Sequence, residues 1–357
     1  MRATVLEERK AIILPALSNN KNRDVVIEGY DLTFDDEREM VKELLTNMGW
    51  ASIEEGHLPG KWPKEAEMDE AQKITHDCWL NRDWVGRSKN QWLAYPGLQE
   101  KIISTLTGEQ FVWRVGLVDR LAASKNRPAR VLELGCGKQP ISLQLTAPAE
   151  IVMVDLVDFK FEERSNVIFK QLNLNEEFAK NLDGTFDLII VSHVAHHIQD
   201  QDNLTANTRT LLKDDGLLFL DDYIGPRWLV FDEGTLAIGR NHLLKLPESK
   251  RSLVEGGVKT NPWHGGNEAA WAQIDPSEAC SSDTILPAFM QHFVPTNYWA
   301  GGTLLYMVLE FISQNFPDNQ ESKEYLDNLW SAERALILTG QLEPWFAMMI
   351  AQKRRVV

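Results

Sequence analysis

The sequence predicts a doubly wound α/β fold, a mostly parallel sheet covered by helices on both faces. A helical front segment precedes the sheet, and a cap is inserted late. Three observations predict it. Apolar runs recur at 131–134, 151–154, 167–172, 186–191 and 217–220; a glycine turn, Gly135-Cys136-Gly137, follows the first run; and a carboxylate, Asp155, closes the second. Strands that are near-continuously apolar are buried on both faces, which calls for helices on both sides of a parallel sheet. A glycine turn leading from strand to helix, with an acid closing the next strand, is the plan of a nucleotide-handling βαβ unit.

The 357 residues exceed the roughly 100–200 of one ordinary domain, so a main domain and a substantial appendage are expected. With 43% hydrophobic and 25% charged residues the chain reads as a soluble globular protein. Its 52 acidic and 37 basic residues give a net charge of -15, which repels phosphate backbones and argues against nucleic acid as a partner. Three dispersed cysteines, Cys78, Cys136 and Cys280, lack metal spacing and fit a reducing cytoplasm better than a secretory route. No apolar run reaches the length that spans a bilayer, so no membrane role is expected. A homodimer is allowed.

Residues 1–127 form the front segment. Thr33 with Asp36 three residues on, Met40, Val41, Leu44 and Leu45 at helical spacing, and Gly49 as a stop describe a capped amphipathic helix. From Trp50 to Trp92 an irregular, tryptophan-rich stretch suits either core packing or a ligand wall. Helices over 99–106 and 111–123 lead to a boundary at Asn126-Arg127-Pro128. Strands follow at 167–173, 186–192 and 216–222, with a helix marked by Leu204, Thr208, Leu211 and Leu212 ending at Asp215-Gly216. The stretch 226–290 is too long for a simple connection and is read as a cap. Within it Asp275-Pro276-Ser277-Glu278 has the order of a helix start. A strand over 292–299, helices over 304–316 and 321–338, and a last strand over 345–352 complete the main domain, 128–357.

The glycine turn departs from a dinucleotide fingerprint, because Pro140 stands where the third glycine belongs. That disfavours a nicotinamide-dependent oxidoreductase. What remains is Glu133, two residues before Gly135, then Gly137. With Asp155 closing the second strand, this pattern resembles the first motif of the class I S-adenosylmethionine-dependent methyltransferases. The resemblance implies a Rossmann-like sheet of order 3-2-1-4-5-7-6 with the last strand antiparallel. It also implies S-adenosylmethionine as cofactor and S-adenosylhomocysteine as product. Carried over, the cofactor residues are Glu133, Gly135, Cys136, Gly137, Asp155, Leu156, Asn173, Leu174, Ser192, His193 and His197. Two departures stand out: Gln139 replaces a further family glycine, and Asn173 is the nearest match to the family's acid or polar group after strand three; the link from Asp155 to Val167 is also short for a helix.

Beyond the fourth strand, Ser192-His193-Val194-Ala195-His196-His197 carries the His-His pair that resembles this family's. Ligands in open α/β sheets lie beyond the carboxyl ends of the strands, so this segment belongs beside the glycine turn. Either His193 or His196 could act as general base, since imidazole titrates near neutral pH; capping and packing are the other uses. Asp221, Asp222 and His193 together could hold a hard cation, but the family's metal pattern is absent and no metal is expected. Tyr223, with Arg227, Trp228 and His264 in the cap, are candidates to orient, hold or wall off a substrate; Tyr223 is also a catalytic candidate. The stretch 221–228, together with Asp275-Pro276-Ser277-Glu278-Ala279 and Gly301-Gly302-Thr303-Leu304-Leu305, resembles a bacterial subgroup of the family found with glycan and secondary-metabolite pathways. The expected reaction is methyl transfer to an oxygen or nitrogen of a small molecule. A peptide or protein methyltransferase and a non-catalytic cofactor-binding partner are the alternatives.

Overall fold

Side-chain alternation along the central strands divides the core into two layers. In β1 (Ala129–Leu134), Val131 joins one apolar cluster while Leu132 and Leu134 join the other. The same split places Leu188 and Ile190 of β4 (Phe186–Ser192) on one side and Ile189 and Val191 on the other. Both faces are therefore dry, as the near-continuous apolar runs require. In this computed structural model the described residues are 91–109, 113–125, 127–254, 256–263, 271 and 275–355. The helix expected over Thr33–Gly49, the tryptophan-rich stretch before residue 91, and His264 lie outside them.

Seven strands form one sheet in the order 3-2-1-4-5-7-6. To β1 and β4 are added β2 (Ala149–Asp155), β3 (Val167–Gln171), β5 (Leu212–Tyr223), β6 (Phe293–Gly301) and β7 (Phe346–Lys353). The neighbours from β3 to β5 pair in parallel, and β7 runs antiparallel to both β5 and β6. The expected sheet is thus the observed one. Between β2 and β3 there is no helix, in keeping with the short link; Gln171 Nε2 instead ties this loop by donating to the Leu156 carbonyl at 2.9 Å.

Helices α1 (Leu98–Thr107) and α2 (Trp113–Ala123) lead into β1. Leu98, Ile102, Ile103 and Leu106 of α1 are buried in the same cluster as one face of the sheet, each worth roughly 1.5–3 kcal/mol in transfer from water. After β4 comes α3 (Gln201–Leu211), capped by Asp200 accepting from Asn203 N. It stops at Leu211, earlier than the expected Asp215-Gly216, because β5 starts at Leu212 and pairs it with Phe186. The cap holds α4 (Glu233–Leu243), and α5 (Ile285–His292) closes it.

The helix expected at Asp275 does not form. Asp275 Oδ1 does accept from Ser277 N (3.1 Å) and Ser277 Oγ (2.7 Å), as a cap would. Yet residues 276–281 are turns, since Ala279 has φ 52°, outside the helical region. The expected helix over 304–316 is also shorter: α6 (Thr303–Leu309) ends where Phe311 turns to φ 66°. The last helix, α7 (Gln320–Leu338), begins at an Asn319 cap and sends the buried Glu333 to the start of α6, where it accepts from the N–H groups of Gly302, Leu304 and Leu305. At the other end of α6, the buried Lys259 ammonium donates to the carbonyls of Met307, Val308 and Glu310, which fastens the cap to the core.

Candidate active site

The carboxyl ends of β1, β2, β4 and β5 meet at one edge. There the chain after β1 turns back over β2: Gly135 N and Cys136 N both donate to the Val154 carbonyl, at 2.8 and 3.1 Å. Both glycines have positive φ, 63° at Gly135 and 59° at Gly137, a conformation that costs any other L-residue. Their surroundings differ. A Cβ on Gly135 would lie 2.1 Å from Val194 Cγ2, whereas one on Gly137 would meet nothing within 4 Å. Gly135 is thus a packing glycine that lets the loop after β4 close on the turn, and Gly137 presents bare backbone to open space.

Two carboxylates hold this turn. Glu133, almost fully buried, accepts from Ile141 N, Ser142 N and Ser142 Oγ, so it braces the far side of the loop. Asp155 accepts from Gly137 N through Oδ2 and from Val157 N through Oδ1, both at 2.9 Å. A carboxylate at a strand end of this kind is the group type that accepts from both hydroxyls of a vicinal diol. Cys136 is buried, and burial pushes its thiol far above the ordinary range, so it is inert packing. Asn173 forms a local turn, accepting from Asn175 N and donating to Glu176, and the neighbouring Leu174 is buried.

The loop after β4 carries the chemistry. His193 has φ 53°, and its N–H donates to the Asp221 carbonyl; burial pushes its imidazole below the usual value. Val194 N and Ala195 N donate to Asp222 Oδ2, and Tyr223 N donates to Oδ1. The same Oδ1 faces His196 Nδ1 in a short contact. Asp222 is thereby a fully solvated-by-protein carboxylate, held below the ordinary range despite its burial. For His196, burial opposes the charged ring, but Asp222 outweighs it and raises the imidazole to about 9. His196 Nε2 points toward Glu278, 3.7 Å away. His197 Nδ1 bonds Ser277 Oγ at 2.9 Å, and the two imidazoles lie with centroids 4.0 Å apart.

Neighbouring residues of a strand point to opposite faces, and this separates Asp221 from Asp222. Asp221 Oδ2 accepts from Arg114 of α2 at 2.7 Å and from Ser192 Oγ at 3.3 Å, with His193 Nε2 at 3.5 Å. The hard-cation arrangement of His193, Asp221 and Asp222 is therefore not assembled: Asp221 is paired to a guanidinium and Asp222 to backbone and His196. The Tyr223 hydroxyl donates to the Pro226 carbonyl at 2.9 Å, and its ring meets His196 edge-on at 6.4 Å. Arg227 is drawn to Asp283 at 2.5 Å, and Trp228, at φ 58°, donates its N–H to Ala279. Both bind the cap to itself. Sequence reasoning passed over Arg114, which lies within the helix over 111–123, and read Glu278 only as part of a helix start.

Does this edge fit S-adenosylmethionine? The open space at Gly137, beside the Asp155 carboxylate anchored to the same turn, is where a nucleoside with a free diol could lie against bare backbone. The donor set suits it. A family model described as a methyltransferase domain matches residues 82–260. The chain is 27% identical over 219 residues to 3-methylorcinaldehyde synthase of Talaromyces stipitatus, an alignment covering 55% of this chain and 8% of that protein. Among solved structures it is similar to the 1,6-didemethyltoxoflavin-N1-methyltransferase of Burkholderia thailandensis with bound 1,6-didemethyltoxoflavin and S-adenosylhomocysteine. That likeness covers 84% of this chain and 94% of the other, at 13% identity and a TM-score of 0.38. It is also similar to a cyclopropane synthase of Mycobacterium tuberculosis over 80% of this chain and 94% of the other, at 11% identity and a TM-score of 0.39. Among the described residues no helix is long and apolar enough to cross a membrane. With a glycine turn and strand-end acid of this form on a sheet of this order, the chain belongs to the methyltransferase-domain family, as a class I S-adenosylmethionine-dependent methyltransferase.

Proposed function

We propose that this methyltransferase acts on an oxygen or nitrogen of a small molecule, an intermediate of natural-product or sugar metabolism, with His196 as the base. The observation that carries the reading is the buried Asp222–His196 pair beside the glycine turn. Asp222 holds the ring through Nδ1 and stabilises its imidazolium, so the neutral form that accepts the acceptor's proton is populated as pH rises toward about 9.

The backbone at Gly135 and Gly137 and the Asp155 carboxylate would hold the cofactor, with Leu156, Asn173, Leu174, Ser192 and His193 around it. When bound, it supplies an electrophilic sulfonium methyl group. The protein's own part is to align the acceptor, exclude water and take one proton at His196 Nε2. Tyr223, its hydroxyl already given to Pro226, acts as an apolar wall beside the ring.

An amine attacks through its own lone pair, whereas a hydroxyl or an acidic C–H needs a base. The Asp222–His196 pair therefore favours an acceptor that must lose its proton first. The name 3-methylorcinaldehyde synthase describes a product methylated on a ring carbon, so carbon acids are a second class of acceptor. A methyl-transfer assay against phenols, sugar hydroxyls, amines and 1,3-dicarbonyls, read by mass spectrometry, tests the reading. His196→Gln should slow turnover on the accepted substrate about 10²–10⁴-fold while S-adenosylhomocysteine still binds. Turnover at the wild-type rate in that variant would remove His196 from the chemistry.

A further inference from the structure

Around His196 the fold brings together more ligand atoms than a base requires. A ring nitrogen of His196, a ring nitrogen of His197 and a carboxylate oxygen of Glu278 all lie within 4.8 Å of one another. The two histidines sit in the turn Ala195–His197 after β4, and Glu278 reaches them from the turn segment of the cap. All three side chains are nearly closed off, with 10%, 10% and 13% of their surface exposed.

What lies behind the two rings is the second observation. His196 Nδ1 rests on the Asp222 carboxylate, and His197 Nδ1 on the Ser277 hydroxyl, which itself donates to the buried Asp275 at 2.7 Å. Each imidazole is thus fixed through Nδ1 by a carboxylate, directly or through one hydroxyl. Histidines that ligate metals are oriented in this way, since the hydrogen bond at one nitrogen sets the tautomer and raises the basicity of the other. Asp222, Asp275 and Glu278 also place three carboxylates around two imidazoles, a balance that a doubly charged ion offsets.

We propose that His196, His197 and Glu278 form a binding site for a divalent transition metal ion of the zinc class, with both histidines ligating through Nε2. Two nitrogens and one carboxylate oxygen suit such an ion, whereas magnesium and calcium prefer oxygen alone. Three protein ligands leave a fourth tetrahedral position open, the pattern of a site that admits water or substrate. A metal and a proton compete for His196 Nε2, so the loaded protein cannot use that atom as a base. Metal binding and base catalysis are then alternative states of one ring, and zinc ions act as an inhibitor of methyl transfer.

The test is titration of the purified, chelator-treated full chain with zinc chloride, followed by calorimetry and by competition with a chromophoric chelator. One equivalent should bind. His197→Gln and Glu278→Gln should each weaken binding at least tenfold, and Asp275→Asn, which removes the support behind His197, by about tenfold. Far-UV circular dichroism of each variant checks that the fold is kept. Magnesium chloride should not compete. Binding that is weak, superstoichiometric or unchanged in both ligand variants would overturn the site, as would magnesium competing as strongly as zinc. This readout needs no substrate: zinc binding with no methyl transfer to any acceptor would overturn the proposed function and leave the site standing, and methyl transfer with no zinc binding would do the reverse.

Discussion

Two glycines two residues apart should fail in different ways when each is given a methyl group. In Gly135→Ala the new Cβ would lie 2.1 and 2.5 Å from Val194 Cγ2 and Cβ, at a backbone φ of 63°. The left-handed conformation costs about 1–2 kcal/mol in a residue with a Cβ, and forcing extra volume into a packed site costs about 1–3 kcal/mol more. The loss should thus be about 2–5 kcal/mol. In Gly137→Ala only the first cost applies, because nothing lies within 4 Å of the added carbon at φ 59°. There the Cβ enters the space assigned to cofactor, so affinity should fall while stability falls by about 1–2 kcal/mol. Urea denaturation gives the stability change and calorimetry with S-adenosylhomocysteine the affinity. Val194→Ala placed on the Gly135→Ala background should recover part of the stability, since it removes Cγ2 at 2.1 Å and Cγ1 at 3.1 Å and leaves only the Cβ contact at 2.5 Å. If Gly135→Ala proves the more stable of the two, or Gly137→Ala binds the ligand as tightly as wild type, the division into packing and ligand-facing glycines is wrong.

Further expectations concern other parts of the molecule. Glu333→Ala leaves three buried N–H groups at the start of α6 without their acceptor and should cost about 3–5 kcal/mol by denaturant unfolding; a change below about 1 kcal/mol would show that water or the backbone replaces the carboxylate. Asp187, buried at the base of β4, accepts from Arg127, Lys213 and Arg130 N, and these partners outweigh burial to hold its carboxyl well below the usual range. Because the folded pKa is the lower one, this stabilisation is complete above the unfolded value of about 3.9 and drains away as pH falls below it. Asp187→Asn should therefore flatten the loss of stability between about pH 4 and pH 2; an unchanged acid limb would assign that loss to other carboxylates. Asp222→Asn should lower methyl transfer about as strongly as His196→Gln, since it removes what fixes and charges the ring, and a variant turning over at the wild-type rate would separate the two residues.

Much of this fold was legible because burial on both faces writes itself into a strand as a near-continuous apolar run, interrupted here by the buried Glu133 and Asp187. Val131–Leu134, Ile151–Val154 and Phe186–Val191 could hardly be anything else, and Gly135, Gly137 and Asp155 could be placed by their spacing. Local capping signals were less informative. Asp275 makes the predicted cap, but the following residues are recruited by His197 through Ser277, 80 positions away in the chain, and that tertiary contact outweighs helix propensity. The same cause hid the rest of the site. Arg114 meets Asp221, and Glu278 meets His196, only after the sheet is assembled, and neither pairing leaves a spacing to read. Asp221 and Asp222 looked equivalent side by side; the pleat of β5 gives one to a guanidinium and the other to an imidazole.

The account rests on the cofactor reading of the turn between β1 and β2, and equilibrium binding of S-adenosylhomocysteine tests it most directly. One equivalent should bind the wild-type chain, Asp155→Ala should weaken that binding at least tenfold by removing the acceptor for the ribose diol, and NAD should not bind. Absence of S-adenosylhomocysteine binding, or an affinity untouched by Asp155→Ala, would contradict it.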